Sequence, residues 1–289
     1  MSAARRLLIV NADDYGLTDG IARGVLRAHR DGVLTSTSVL AVGPAVRRTA
    51  RWLADAPALG VGAHLALIGV DPPLLTRREI PTLVTRDGGF PREWRRFLAR
   101  AAAGRIDPAD VERELDAQVE RLVGECGLNL THLDTHQHLH LWPPVADVVV
   151  ALARRWRIGA VRLPSSRAGG PKGAGIRRLS AGVRRRLTAA GLVSPGAYAG
   201  LDEAGRLTLP TFRSALERLT ESSATAAEIN CHPGEAADPE ASARYEWGFA
   251  RAGELDALTS PELRDAVDHL GWRLGTYADL ARETPAEPR

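Results

Sequence analysis

Residues 131–140 have the sequence Thr-His-Leu-Asp-Thr-His-Gln-His-Leu-His, which places four of the protein's eight histidines within one short segment. In an extended strand, alternate side chains share one face. The parity of the segment would therefore gather five polar side chains on one face: His132, Asp134, His136, His138 and His140. Buried imidazoles need partners for their nitrogens, and neutral imidazole is a common metal ligand. Four leucines lie within or directly beside the segment, at positions 130, 133, 139 and 141. The pattern therefore indicates a metal site on a strand rather than a solvated loop.

Strand-like and helix-like patterns alternate outward from this segment in both directions. Short apolar or β-branched runs cover residues 6–11, 34–41, 60–67, 160–163, 226–232 and 272–276. Helical patterns cover residues 18–30, 92–103, 108–126, 144–156 and 260–270. Such alternation is typical of parallel strands joined by right-handed crossovers. Seven or eight units predict an α/β fold in the form of a closed or distorted β/α barrel. Residues 164–205 show the least regular pattern, and a segment of this length inside a compact domain is usually functional or mobile.

Size and composition suit one large domain. The chain has 289 residues, of which 44% are hydrophobic and 25% charged. We expect a single domain over residues 1–283 and a frayed tail over residues 284–289. The net charge of +3 and the absence of an RNP motif or zinc finger argue against a nucleic-acid partner. The basic cluster within residues 172–186 is interpreted as a solvated helix face, with a phosphate or anionic-surface contact as the alternative.

Compartment and assembly are constrained only loosely. Cys126 and Cys231 are too few for a disulfide framework and lack C-x-x-C spacing. The apolar run at residues 7–10 is too short for a signal-peptide core, and no stretch of eighteen apolar residues occurs. These features predict a soluble cytoplasmic protein without an integral membrane segment. A homodimer is compatible with the sequence, which does not determine the oligomeric state.

Polar side chains recur at predicted strand ends. Five separate segments contribute them: Asp13-Asp14, His64, Asp134 to His140, Arg162 and His232. Barrel enzymes place their chemistry at the carboxyl ends of the strands. Each residue alone also has a structural interpretation, such as a turn or cap for the aspartates and a satisfied core histidine for His64. Their coincidence at one end of a barrel favours a functional site.

The chemistry of these residues is that of a metallohydrolase. His64, His136 and one aspartate would form a three-ligand site with open positions for water and substrate, although such ligands do not choose the metal. His232, held on a Cys-His-Pro-Gly turn, suits a general acid, with a structural role as the alternative. Arg162 could orient a carboxylate, bind substrate or form a buried ion pair.

Other common mechanisms find no support. The chain has no G-x-S-x-G elbow, no P-loop, no G-x-G-x-x-G after the first strand and no H-E-x-x-H helix. A nucleophilic Cys231 paired with His232 is disfavoured, because neighbouring side chains on a strand point apart.

Four motifs together carry a family resemblance. They are Asn-Ala-Asp-Asp-Tyr-Gly at residues 11–16, Gly-Ala-His-Leu at 62–65, His-Leu-Asp-Thr-His-Gln-His-Leu-His at 132–140 and Cys-His-Pro-Gly at 231–234. With these motifs in this order, the chain resembles the YdjC-like carbohydrate deacetylases, which include diacetylchitobiose and hopanoid-associated deacetylases. The resemblance extends over about residues 7–280. It implies a distorted barrel of the polysaccharide-deacetylase-like type.

The resemblance also implies an activity and site roles. The expected reaction is hydrolysis of an N-acetyl group from an amino sugar, in an oligosaccharide or a glycolipid head group, with release of acetate. The implied cofactor is a divalent ion, Mg²⁺ or Zn²⁺, with Asp14, His64 and His136 as ligands. Asp13 would be the base and His232 the acid. The residues expected to orient ligands or bind substrate are Asp134, His138, His140, Arg162, Tyr15 and Trp142.

Two other functions stay open at this point. One is a metal-dependent phosphoesterase or amidohydrolase on a similar barrel, although such sites usually carry an H-x-H motif on the first strand. The other is a sugar-binding barrel without turnover. The sequence does not name the sugar.

Overall fold

A computed structural model describes residues 5–245 and 247–284. Its strands are β1 (Arg6–Tyr15), β2 (Ser36–Val39), β3 (Gly60–Leu65), β4 (His132–Thr135), β5 (Ala160–Val161), β6 (Ala197–Ala199), β7 (Ala226–Cys231) and β8 (Trp272–Leu274). All pairings between them are parallel, and the strand order is β5-β4-β3-β2-β1-β7-β6. β7 occupies one edge of β1, so β2 and β8 share the other edge.

The two ends of the sheet meet through residue 193. The amide of Val161 donates to the carbonyl of Val193, and the amide of Val193 donates to the carbonyl of Gly159. A few residues later β6 begins and pairs with β7. The sheet therefore curls into the distorted β/α barrel that the sequence predicted.

Helices cover the outside of the sheet. They are α1 (Asp19–Asp31), α2 (Val46–Thr49), α3 (Trp94–Ala102), α4 (Pro108–Glu120), α5 (Pro143–Arg155), α6 (Gly170–Ala189), α7 (Leu209–Thr220), α8 (Pro239–Arg244), α9 (Arg251–Leu258), α10 (Pro261–His269) and α11 (Tyr277–Glu283). Short 3₁₀ segments at Ala50–Asp55 and His136–Leu141 and a π turn at Arg121–Glu125 complete the regular structure. None of the helices in the described part of the chain combines the length and apolar composition that crossing a membrane requires.

The interior of the barrel changes character from bottom to top. Along β1, residues 8, 10 and 12 pack in the large core between the sheet and the helices. Leu7 and Ile9 face the other way and fill the bottom of the barrel with a small apolar cluster. Asn11 and Asp13 continue this inward face and are buried as well. The carboxyl end of the barrel is therefore lined by polar side chains, each of which needs a partner.

Two predictions about local structure are wrong. The His-rich strand ends at Thr135, and the chain then turns through Gln137 and His138, which have φ values of 51° and 56°. The hydroxyl of Thr135 accepts from the amide of His140 and so closes this turn. Because the backbone is no longer extended, Asp134, His136, His138 and His140 do not share one face.

Residues 164–205 are also more regular than predicted. They contain α6, a helix of 20 residues that includes the expected basic helix, and the strand β6, which was not predicted. Val183 and Leu187 of α6 are buried in the core, which explains why this arginine-rich stretch is ordered. The frayed tail predicted from residue 284 lies outside the described residues from 285 onward.

A close helix–loop contact gives the first prediction. A Cβ added at Gly24 of α1 would lie 2.5 Å from the Cα of Gly234, in the loop that follows β7. Replacement of Gly24 by alanine must push α1 away from this loop, so we expect a loss of about 1–3 kcal/mol in the free energy of unfolding. Urea titration measures it.

The matched control is Gly182→Ala in the middle of α6. There an added Cβ meets nothing closer than 3.6 Å, and alanine should favour the helix by up to about 1 kcal/mol. Equal unfolding free energies for the two variants would show that the α1 contact is not close.

Candidate metal centre and active site

A distortion of β1 brings two consecutive carboxylates to one cavity. The pairing of β1 with β2 shifts register between Ala12 and Tyr15, and Asp14 has a φ of 70°. In a regular strand the side chains of residues 13 and 14 would point to opposite faces. The distortion turns both into the cavity, where Asp13 and Asp14 lie on the floor. The two carboxylates therefore reach one cavity, as expected from the sequence.

Three ligand atoms form a triangle at this floor. His136 Nδ1 lies 3.3 Å from His64 Nε2 and 3.7 Å from Asp14 Oδ1, and His64 Nε2 lies 4.0 Å from Asp14 Oδ1. Ligands placed tetrahedrally at about 2.1 Å from one ion are about 3.4 Å apart. Asp14 Oδ1 is buried and has no hydrogen-bond partner among the described residues. The triangle therefore fits a divalent ion.

Neighbouring charges keep Asp14 ionised and burial keeps His136 neutral, and these are the forms that bind a metal ion. Burial would raise the pKa of Asp14, but Arg251, His232 and the other site histidines hold it well below its usual range. Burial lowers the pKa of His136 to about 4. Burial would also lower the pKa of His64, but the carboxylates of Asp134, Asp13 and Asp14 raise it to about 9. His64 must therefore release a proton when it binds an ion.

A second group of possible ligands, Asp13, His64 and Asp134, is less suited to an ion. Both oxygens of Asp13 accept from Arg162, at 2.7 and 2.8 Å. Asp134 accepts from His64 Nδ1 at 2.5 Å, and its other oxygen accepts from Ser38 and Arg162 at 2.7 Å. Their oxygens are already paired, whereas Asp14 Oδ1 is not.

Arg162 connects three strands inside the barrel. It follows β5, is fully buried, and pairs with Asp13 of β1, Asp134 of β4 and Glu228 of β7. Burial raises the pKa of Glu228 to about 7 although Arg162 opposes the shift. The sequence left three roles open for Arg162. In the structure it forms buried ion pairs and orients the carboxylates of its partners. Arg162 does not line the cavity.

The other histidines of the His-rich segment have separate surroundings. The His132 ring stacks on Tyr277 with centroids 3.9 Å apart, and the absence of a side chain at Gly62 leaves room for it. His140 Nδ1 contacts the Thr135 hydroxyl and Nε2 the carbonyl of Arg162, so this ring stabilises the turn. His138 lines the cavity and contacts the Tyr198 hydroxyl at 3.5 Å. Only His136 of the segment reaches the triangle.

Tyr15 is the clearest error among the predicted site residues. Its ring is fully buried in the core, and its hydroxyl donates to the carbonyl of Thr49 at 2.7 Å. The register shift that turns Asp13 and Asp14 inward leaves Tyr15 facing the helices. Trp142, in contrast, lies on the cavity wall as expected.

The loop before α9 and the first residue of α9 supply three contacts that the sequence did not predict. Arg251 Nη2 donates to Asp14 Oδ2 at 2.6 Å. Trp247 packs against His136 with ring centroids 5.3 Å apart, and Phe249 packs against His232 at 4.5 Å. The two aromatic residues in Trp247-Gly248-Phe249 were the one local feature that could have indicated a wall of the site. Nothing in the sequence around Arg251 indicates that its partner is Asp14.

A cavity of about 600 Å³ opens above these residues. Its floor is polar and consists of Asp13, Asp14, His64, His136, Asn230 and His232. The backbone amide of His232 donates to Glu254 at 2.5 Å, which fixes the turn after β7. The carboxyl ends of β1, β3, β4 and β7 therefore contribute to one site, as barrel enzymes require.

Solved structures define the class of this protein. An Enterococcus faecalis protein named for cellobiose-phosphate cleavage has a crystal structure that matches with a TM-score of 0.80 and 26% identity, over 96% of this chain and 99% of that one. The CE4 domain of a multidomain xylanase from the hindgut metagenome of Trinervitermes trinervoides matches with a TM-score of 0.52 and 7% identity, over 98% and 94%. The fold is a polysaccharide-deacetylase-like barrel.

Sequence comparison identifies the family. The carbohydrate deacetylase of Geobacillus stearothermophilus is 36% identical over 275 residues, covering 95% of this chain and 98% of the relative. The chitooligosaccharide deacetylase of Klebsiella pneumoniae is 33% identical over 275 residues, covering 95% and 99%. The family model described as YdjC-like protein matches residues 7–269. This chain belongs to the YdjC-like family.

Removal of the Arg162 charge tests the ion network. Arg162→Met would leave three buried carboxylates without their counterion, and we expect a loss of about 3–5 kcal/mol in the free energy of unfolding at neutral pH. The loss should shrink as the pH falls, because the unpaired carboxylates then take up protons in the folded state. Urea unfolding at two pH values measures both effects.

Arg47→Met is the control, since the ion pair of Arg47 with Glu125 is exposed and should contribute little. An Arg162→Met protein as stable as this control would contradict the importance of the network.

Proposed function

We propose that this YdjC-like protein is a carbohydrate N-deacetylase that hydrolyses the acetamide of an N-acetylated amino sugar and releases acetate, with the help of a divalent ion. The triangle of Asp14, His64 and His136 is the observation that carries the proposal. The relatives named as carbohydrate and chitooligosaccharide deacetylases support the choice of reaction.

The proposed ion ligands are Asp14, His64 and His136. Two imidazole nitrogens and one carboxylate do not choose among the divalent ions that accept nitrogen ligands, of which zinc is one, whereas magnesium prefers an all-oxygen shell. When bound, the ion would supply Lewis-acid activation of the acetamide carbonyl and of the attacking water. Asp134 is proposed to keep the His64 ring in position through its bond to Nδ1, so that Nε2 is the free nitrogen.

Asp13 is the proposed general base. Its bidentate pair with Arg162 and a bond from Asn11 at 3.0 Å fix both carboxylate oxygens beside the triangle. Asp13 Oδ2 lies 3.8 Å from His64 Nε2. From this position the carboxylate would accept a proton from water as the water oxygen attacks the acetamide carbon.

His232 is the proposed general acid. Amide nitrogen leaves badly as an anion, so it must gain a proton as the carbon–nitrogen bond breaks. His232 lies on the floor of the same cavity, with its backbone fixed by Glu254 and its ring packed on Phe249. It would give its proton to the departing amine of the sugar, and acetate would be the other product.

Two residues of the cavity wall are proposed to contact the sugar. Trp142 offers an aromatic face, which suits the apolar face of a sugar ring. His138 lies beside the floor with its Nδ1 free of partners among the described residues. Arg162 and His140 are left with positioning roles, because neither reaches the cavity.

Acetate release tests the reaction. The purified protein should release acetate from N-acetylglucosamine, di-N-acetylchitobiose or an alkyl glycoside of N-acetylglucosamine. The activity should disappear with chelator and return with added zinc, cobalt or magnesium, and the order of these ions tests the preference for ions that accept nitrogen ligands over magnesium. Phosphate release from a sugar phosphate, without acetate from any N-acetyl sugar, would instead show a phosphoesterase.

Substitutions test the separate roles. His136→Ala should lose both bound metal and turnover, because it removes one of three ligands. Asp13→Asn should keep the metal and lower turnover by about 10²- to 10⁴-fold, as the loss of a general base does. Metal content of the purified proteins and initial rates of acetate release measure the two effects.

His138→Ala is the matched control for metal content, since His138 lies in the same turn but outside the triangle. It should retain the metal. If Asp13→Asn empties the site, the roles of Asp13 and Asp14 are reversed. Full metal content in His136→Ala would refute the proposed ligand set.

A further inference from the structure

The cavity is polar at its floor and apolar on its wall. Most of the described residues that line it above the floor are apolar, and four of these are aromatic: Trp94, Trp142, Trp247 and Phe249. Gln137 and His138 are polar. Lys172 is the one charged lining residue of the described chain outside the floor. Substrate atoms beyond the first sugar ring therefore meet mainly carbon.

Two helices build a large part of this wall. In α3, Trp94 and Leu98 lie one turn apart, so the same face reaches from the rim towards the floor. In α6, residues 171, 175, 176 and 179 share one face, and all four line the cavity. The other apolar residues of α6, Val183 and Leu187, are buried in the core, whereas Ile176 and Leu179 are only half-buried.

The rim has an exposed aromatic side chain. Trp94 is 40% exposed and, with Val70, is one of two exposed large hydrophobic residues in the described part of the chain. The Arg95 guanidinium lies over this ring, 5.3 Å from its centroid, but the ring still ends the apolar wall at the solvent. Because the wall is continuous with the floor, a group attached to the reacting sugar is placed to cover it.

The part of the wall formed by α3 and α6 suits a second sugar ring poorly. Each ring carries several hydroxyl groups that exchange hydrogen bonds with water, and Leu98, Ile176 and Leu179 return none of them. Among the lining residues of these two helices, Trp94 is the one aromatic side chain, and only Trp94 and Lys172 offer a side-chain hydrogen-bond donor. An alkyl group makes no hydrogen bonds with water, so it loses none in the same place and gains from leaving water.

We propose that the substrate is an N-acetylated amino sugar with an apolar substituent, a glycolipid, whose apolar part lies between α3 and α6 while the sugar occupies the floor. This inference rests on the proposed deacetylase function. It makes Leu98 and Ile176 specificity residues, since both line the cavity away from the reacting groups.

A homologous series of glycosides tests the proposal. Methyl, butyl, hexyl and octyl β-glycosides of N-acetylglucosamine are compared with di-N-acetylchitobiose in the metal-loaded enzyme, below the micelle concentration. KM for acetate release should fall with chain length, by up to about fourfold for each added CH₂ until the chain outgrows the cavity. The kcat should change little, because binding remote from the acetamide is equal in ground and transition states.

Wall variants locate the effect. Leu98→Asn and Ile176→Asn should flatten the dependence of KM on chain length and leave KM for N-acetylglucosamine unchanged. The controls are Ala99→Asn and Ala174→Asn, exposed neighbours on the same helices that do not line the cavity. They should retain the full dependence, and thermal unfolding confirms that all four variants are folded.

The outcomes separate this inference from the function on which it rests. Acetate from chitobiose with a lower KM than from the octyl glycoside, or a KM independent of chain length, would refute the apolar substituent and leave the deacetylase function intact. No acetate from any N-acetylated sugar by the metal-loaded enzyme would refute the deacetylase function itself. A dependence on chain length that persists in both wall variants would refute the position between α3 and α6.

Discussion

One buried guanidinium holds the carboxyl end of this barrel together. Arg162 follows β5 and pairs with carboxylates from β1, β4 and β7. Of these three strands, only β4 is a neighbour of β5 in the sheet. A buried charge costs several kcal/mol unless it is paired and hydrogen-bonded, and here each partner offsets the burial of the other. The strand ends can therefore close around a polar interior instead of around the apolar side chains that usually fill a barrel.

The network also determines which groups remain free to bind a ligand. Asp13 and Asp134 have their oxygens occupied by Arg162 and its neighbours, so they are fixed in position. Asp14 differs, because Arg251 takes one oxygen and leaves the other without a partner among the described residues. The unpaired oxygen faces two imidazole nitrogens. Among the buried polar atoms without a partner in the described chain, Asp14 Oδ1 is thus the one that faces both imidazole nitrogens, where an ion can compensate its charge.

The sequence could predict the strand-end residues but not the shape of the segments between them. Asp13, Asp14, His64 and His136 come together because parallel strands end at the same edge, a rule that needs no three-dimensional information. The prediction that His138 and His140 share a face with His136 was wrong, and Tyr15 does not reach the site. Both predictions assumed extended backbone where the chain has left-handed residues or a register shift. Arg251 and Trp247 could not be predicted, because their contacts depend on how a distant loop packs across the barrel.

Catalytic geometry and substrate recognition lie on different parts of the chain. The floor is built by strand ends joined through Arg162, so a change there disturbs several strands at once. A large part of the wall is built by α3 and α6, which form no part of the sheet. Substitutions on the wall can alter which group is held beside the sugar without removing any bond of the ion network. Members of one family can in this way keep the same reaction while their substrates differ. The apolar wall is the feature by which this chain would differ from relatives that act on free oligosaccharides.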